Sequence, residues 1–344
     1  MTTLITTRHI CRFISAMSIF TVTSLSCNSK KPDIKMQSET WKDISGNFIN
    51  AHGAGVLFHD NRYYLYGEIK KGQTYLVPRQ NWEDYRVPAG GISCYSSADF
   101  KNWKNEGIAL APDKKDTLNE LHTSKVIERP KVIYNEKTKK FVMWMHIDKD
   151  DYSLAHAGVA VSDSAAGPFH FISSMRPNGN MSRDMTVFKD NDGTAYLVYS
   201  SEDNETMHIC KLADDYLSPT EADNRIFIKQ SRKAPAMFRY HSKYYLITSA
   251  CSGWSPNEAN YATADDPLKS WTVHGNPCKG PDSAVTYYSQ SSFVMPITGK
   301  EGKFLFLADQ WNKTDLEKST YLWLPLTVRN DSVAISWSDK IGFK

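Results

Sequence analysis

Five short runs of strand-forming residues recur along this chain, at 63–68, 141–146, 195–200, 244–249 and 304–309. Each ends in a small or polar group: Glu68, His146, Ser200, Ser249 and Asp309. A turn precedes every run (59–62, 135–140, 189–193, 240–243 and 298–303), and another apolar strand precedes every turn. Alternation and β-branched or aromatic content mark the runs as strands. Hairpins that return roughly every 50 to 80 residues are the signature of a radial repeat. The pattern predicts an all-β, single-domain chain folded as a five-bladed β-propeller. Such a fold carries one inner strand end from every blade to a common axis, so the repeat also says where chemistry would sit.

The outer parts of the blades repeat as well. A strand, a Ser/Asp turn and an aromatic residue return at 91–103, at 157–169 and at 260–271; shorter strands at 208–212 and 321–326 serve the other two blades. The first blade is expected over about 48–103. Only near Leu118 and Leu121 does the pattern suit a turn or two of helix. Residues 71–88, with Tyr75, Trp82 and Tyr85, form an insert long enough to wall a cleft.

The N-terminus reads as a targeting segment. Arg8 and Arg12 precede a short apolar stretch at 13–22, and small residues lead through Ser24-Leu25-Ser26 to Cys27. The junction resembles a bacterial lipobox, which implies a lipoprotein-type signal peptide over 1–26 and diacylation of Cys27; an ordinary secretory signal is the alternative. Residues 27–40 are polar, as a flexible tether would be, and 41–344 form the propeller. The expected protein is exported, periplasmic or at the cell surface, monomeric, and held at a membrane by its lipid alone. With 41 Lys+Arg against 38 Asp+Glu the net charge is +3, and without a basic stripe nucleic acid is not an expected partner. Cys94, Cys210 and Cys251 lie in apolar strand contexts and are expected in the core.

Polar residues open each inner strand: Asn50-Ala51-His52-Gly53, Glu128-Arg129-Pro130-Lys131, Ser182-Arg183-Asp184, Arg232-Lys233-Ala234-Pro235-Ala236 and Ser289-Gln290-Ser291-Ser292. A purely structural repeat has no need of His, Glu, Asp, Lys and Gln at equivalent positions. Carboxylates flanking a pocket are the minimum equipment for glycosidic hydrolysis. Trp254 and Trp311 suit either a sugar face or the core, and His52 suits either a sugar hydroxyl, a central ion or a packed, hydrogen-bonded histidine. His122, His146 and His156 lack the spacing of a zinc site, and no metal or cofactor is implied. Asp190-Asn191-Asp192-Gly193 fits a hairpin turn better than a calcium loop, because no glutamate follows at the required offset.

Over essentially the whole mature chain these segments resemble glycoside hydrolase family 43, most of all its exo-β-1,3-galactanase branch. The residues that carry the likeness are Asn50-Ala51-His52-Gly53-Ala54-Gly55 with Tyr66-Gly67-Glu68, Glu128-Arg129-Pro130-Lys131, Ser182-Arg183-Asp184, Ala234-Pro235-Ala236, Ser252-Gly253-Trp254-Ser255-Pro256-Asn257, Ser289-Gln290-Ser291-Ser292 and Tyr321-Leu322-Trp323-Leu324-Pro325-Leu326. The resemblance implies an inverting, exo-acting glycosidase for terminal galactose-type residues of an oligo- or polysaccharide. It implies that Gln290 holds the attacking water, where most of the family has an aspartate in blade one. Asp184 would orient the acid and raise its pKa, and Glu68 and Glu128 would accept the terminal sugar's hydroxyls. His52, Arg183, Trp254, Asn257 and Trp311 would complete the sugar site. One position departs from the pattern. The branch reads Arg-Glu-Ala-Pro-Ala where this chain has Arg232-Lys233-Ala234-Pro235-Ala236, so Lys233 stands at the general acid. Three readings follow: Lys233 serves as an acid of depressed pKa, Glu258 or Glu128 takes over, or the protein is a catalytically impaired carbohydrate-binding lipoprotein.

Overall fold

The computed structural model describes residues 37, 41–78 and 82–340. The expected signal peptide, the lipidation residue Cys27 and nearly all of the tether lie outside the described residues.

Four antiparallel sheets of four strands and one of five follow each other along the chain. Blade one pairs His52–His59, Arg62–Lys70, Ala89–Ser97 and Lys104–Leu110 in that order. Blade two runs Val126–Asn135, Lys140–Asp148, His156–Ser162 and His170–Met175. Blade three is Met185–Lys189, Ala195–Ser201, Thr206–Leu212 and Pro219–Ile226, and blade four is Arg232–Tyr240, Lys243–Ala250, Ala259–Ala264 and Thr272–Gly275. Blade five comprises Gln290–Pro296, Lys303–Gln310, Thr320–Arg329 and Ser332–Ser336, with Cys278–Lys279 added in parallel outside the last. The first strand of each blade touches the first strand of the next, and that of blade five touches that of blade one. The ring is therefore closed, and the expected five-bladed propeller is what the chain forms.

The packing explains why the five runs are apolar without a break. Each lies in the second strand of a blade, and side chains alternate between the two faces of a strand. Leu65 enters the core shared with blade five while Tyr66 enters the core shared with blade two. Met143 and Trp144, Leu197 and Val198, Leu246 and Ile247, and Phe306 and Leu307 divide between neighbouring cores in the same way. Five apolar clusters result, one at every blade interface.

Three expectations are corrected. Blade one does not close at Trp103, because a fourth strand, Lys104–Leu110, follows; blade five likewise gains Ser332–Ser336. Each of these strands carries only three consecutive apolar residues, Ile108-Ala109-Leu110 and Val333-Ala334-Ile335, a weaker mark than the inner runs. Leu118 and Leu121 lie in turns capped by side chains, with Asp113 Oδ1 accepting from the backbone N–H of Lys115 and Asp116. Asx turns of this kind compete with helix. Cys94 and Cys210 are core residues, but the third is Cys278 in the blade four–five cluster rather than the half-buried Cys251. Asp190–Gly193 is a hairpin turn, closed by Asp190 N–H donating to Thr194 O at 2.8 Å.

Candidate active site

Backbone irregularities aim the candidate residues. The inner strands shift register between His52 and Gly55, Glu128 and Lys131, Lys233 and Ala236, and Ser291 and Phe293. Such bulges redirect side chains at strand ends. In the first three, the residue after the candidate is left-handed: Gly53 at φ 55°, Arg129 at φ 53° and Ala234 at φ 54°. Gly53 has no room for a side chain, since a Cβ there would lie 2.7 Å from Glu68 Oε1. Lys233 is thus the blade-four counterpart of His52 and Glu128 in conformation as well as in sequence order.

Two buried cations gather the polar groups at the axis. The Arg129 guanidinium meets Asp184 Oδ1 at 2.9 Å, donates to Ser291 O at 3.0 Å, and also donates to Gln290 Oε1. Lys70 Nζ lies 2.8 Å from Glu68 Oε2 and 3.3 Å from Glu128 Oε1. It also stands 5.4 Å and 5.8 Å from the ring centres of Trp254 and Trp311, which pack edge to face. Trp311 Nε1 donates to Gln290 Oε1 at 3.3 Å. Glu68, Glu128, Asp184, Gln290, Trp254 and Trp311 are therefore one connected site. His52 lies under it, paired with Asp309 at 3.2 Å and stacked on Tyr321. Asp309 also accepts the Gly53 N–H at 3.1 Å.

The insert at 71–88 contributes a wall. Its short hairpin, Tyr75–Leu76 with Tyr85–Arg86, brings Arg86 over the Tyr152 ring at 4.3 Å and Trp82 to 5.5 Å from the same ring. On its other side Trp82 reaches the Gly253 loop, where an added Cβ would fall 3.4 Å from it.

Charge states follow from burial and from these partners. Burial pushes the Glu68 carboxyl up to about 7, with Lys70 opposing and Glu128 adding to the rise. Burial also works against ionising Glu128, but Lys70 and His146 outweigh it and hold that carboxyl well below the usual range. Asp184 is likewise held below its usual value, Arg129 and then Lys233 overcoming the burial cost. Burial, followed by Arg129, pushes Lys131 down to about 7; its Nζ donates to Gly53 O at 2.8 Å. Glu68 and Glu128, which share Lys70, are thus pushed in opposite directions.

His146 opposes its own burial through Asp148 at 3.0 Å and Glu128 at 3.6 Å, which raise it to about 9. The histidine is protonated in the folded protein and neutral in the unfolded chain between about 6.5 and 9. Its stabilising contribution is complete below pH 6.5 and is lost as pH rises to 9. Denaturant titrations across that range are expected to show stability falling with pH, with a shallower fall in His146→Asn. Equal slopes for both proteins would refute this assignment.

Other sequence candidates fall outside the cluster. Arg183 donates to Tyr152 O and pairs with the exposed Asp203 at 2.8 Å. Asn257 bonds within its own loop, to Ser252 Oγ and Ser255 O. Glu258 is exposed and accepts from Asn276 at 3.1 Å. Lys233 Nζ donates to Gly253 O at 2.7 Å and forms no ion pair within 4 Å among the described residues. Lys70, Asp309, Tyr152 and His146 with Asp148 belong to the site or its support, yet sequence reasoning gave none of them a role in the sugar site. A signal existed for three of them: Lys70 follows Glu68 by two residues, and His146 and Asp309 end the second and fifth runs.

Comparison with known proteins agrees with this fold. Residues 56–295 match Glycosyl hydrolases family 43. The chain belongs to that family. Among solved structures, this family 43 hydrolase is similar to a family 43 β-1,3-galactosidase with galactodeoxynojirimycin, at 40% identity and a TM-score of 0.82, covering 89% of this chain and 99% of that one. An exo-β-1,3-galactanase from Phanerochaete chrysosporium with β-1,3-galactotriose is 32% identical, with a TM-score of 0.79 over 88% of this chain and 66% of that one. A β-xylosidase of Xylanibacter ruminicola is 23% identical over 270 residues, 66% of this chain and 78% of that relative.

Proposed function

We propose that the axial pocket of this family 43 glycosidase receives the terminal galactose-type residue of a β-1,3-galactan-like chain, acts in exo mode, and inverts the anomeric centre. The observation that carries the reading is the pair of buried carboxylates, Glu68 and Glu128, joined by Lys70 beneath two tryptophans. Carboxylates so placed accept pairs of sugar hydroxyls, and the rings offer faces to the sugar's C–H surface. The relatives solved with galactodeoxynojirimycin and β-1,3-galactotriose support the same sugar class. Gln290 Oε1 already accepts from Arg129 and Trp311, so its amide N–H remains to hold a water. Inversion needs the group that holds that water and the proton donor to lie about 6.5–9.5 Å apart, leaving room for the water between them.

Protonation of the leaving oxygen is the weak step, because Lys233 and not a carboxylic acid occupies the donor position. Cleavage should then depend steeply on leaving-group quality. Aryl galactosides, whose phenolate departs without a proton, are expected to turn over much faster than β-1,3-galactan. Glu128→Gln is expected to lower activity on both by at least tenfold, through one lost charged hydrogen bond. Wild-type activity indifferent to both Glu128→Gln and Lys233→Glu would remove the site assignment. A second reading, a sugar-binding protein with negligible turnover, is favoured by the bond from Lys233 to Gly253 O; it predicts binding of galactosides with no hydrolysis of either class. We further propose, on the pattern at 8–27, that the protein is exported and anchored by lipid at Cys27. Metabolic labelling with a fatty acid that is lost in Cys27→Ser would test it.

A further inference from the structure

We propose that Lys233 is a specificity-determining residue that selects ligands bearing an anionic group, a carboxylate or a sulfate ester, on the sugar at the pocket mouth; this rests on the terminal-galactose reading above. The charges at the axis are otherwise matched. Lys70 is shared by Glu68 and Glu128, Arg129 by Asp184 and Gln290, and His146 by Asp148 and Glu128. Lys131 has only the Gly53 and Arg129 carbonyls, but it is 1% exposed and beyond the reach of a ligand.

Lys233 differs from all of these. It is half-buried, its ammonium bonds one backbone carbonyl, and the bulge before Ala236 turns it as its counterparts His52 and Glu128 are turned. Its neighbour Arg232 also forms no ion pair within 4 Å among the described residues; that guanidinium bonds Thr248 and the Glu258 carbonyl instead. Glu258, whose charge acts on Arg232, is exposed and beyond ion-pair distance, so neither cation is bonded to a carboxylate among the described residues. Asp184, on which Lys233 also acts, is paired with Arg129 at 2.9 Å. Gly253, to which Lys233 bonds, belongs to the loop that meets Trp82 of the insert, so the ammonium stands at the mouth. A lysine with two remaining donors at that place is complementary to a negative substituent on the second sugar of a bound chain, and a neutral chain would leave it unused.

The test uses sulfur-linked, hydrolysis-resistant β-1,3-galactobiose in three forms: neutral, carrying a glucuronic acid on the reducing-end galactose, and carrying a sulfate ester there. Titration calorimetry at low and high salt is expected to show about tenfold tighter binding of the anionic forms, the gain from one charge-assisted hydrogen bond. The gain should shrink with salt and fall to a ratio near one in Lys233→Gln. A gain for the glucuronic acid form alone assigns the carboxylate, and a gain for the sulfate form alone assigns the ester. Equal binding of neutral and anionic forms by the wild-type protein overturns the proposal while leaving the galactose site standing, as does a preference that persists in Lys233→Gln. Failure of all three to bind overturns the galactose reading as well.

Discussion

Lys233→Glu is expected to raise the rate of β-1,3-galactobiose hydrolysis by about 10²- to 10⁴-fold, the usual worth of general acid catalysis. The backbone there already has the conformation that aims His52 and Glu128 at the axis, with Ala234 left-handed behind it at φ 54°. A glutamate at 233 would meet the ionised Asp184, which would raise its pKa and keep a proton available near neutrality. The same substitution should change aryl galactoside cleavage far less, because a phenolate leaves without protonation. The comparison of the two substrates is what isolates the acid step. A general collapse or rise on both would point to altered binding, and no gain on the disaccharide would mean that the proton comes from elsewhere.

Lys70→Met is expected to cost about 3–5 kcal/mol of stability at pH 7.5, the range found when one partner of a buried ion pair is removed. Lys70 is 7% exposed and is the cation shared by Glu68 and Glu128. Without it, two buried carboxylates would face each other with His146 and Arg129 as the remaining compensation. Each would then ionise above its unfolded value in the folded protein. Below the unfolded value, near 4.5, both states hold the proton, and the deficit is smallest. It grows as pH rises and the folded protein must either keep a proton or bury a charge. Urea titrations at pH 5 and pH 7.5 would therefore show a smaller difference between variant and wild type at the lower pH. A difference that is equal at both would show that Lys70 contributes through packing rather than charge.

The architecture was legible because a propeller buries both faces of its second strands, which forces five uninterrupted apolar runs into the sequence. The outermost strands were not, since one such strand, Lys104–Leu110, exposes Lys104, Asn105 and Gly107 to water and is apolar only over its last three residues. Of the site, the order of inner-strand openings singled out Glu128, Asp184 and Gln290, which the fold brings into one connected cluster, while Lys233 bonds to Gly253 O outside it. What that order could not convey is which cation meets which carboxylate. Lys70 and Asp309 become partners of the site only when blades one, two and five are brought together, at separations of 58 residues for Lys70 with Glu128 and 257 for His52 with Asp309. Arg183 and Asn257 lie beside site motifs in sequence, yet Arg183 reaches Tyr152 O and Asp203, and Asn257 bonds within its own loop.

The most direct test of the site is a crystal structure of the wild-type protein with sulfur-linked β-1,3-galactobiose. The non-reducing galactose is predicted in the axial pocket, with hydroxyls on Glu68 and Glu128 and the interglycosidic sulfur facing Lys233. A disaccharide bound in any other place, or an axial pocket that stays without sugar at saturating concentration, would contradict it.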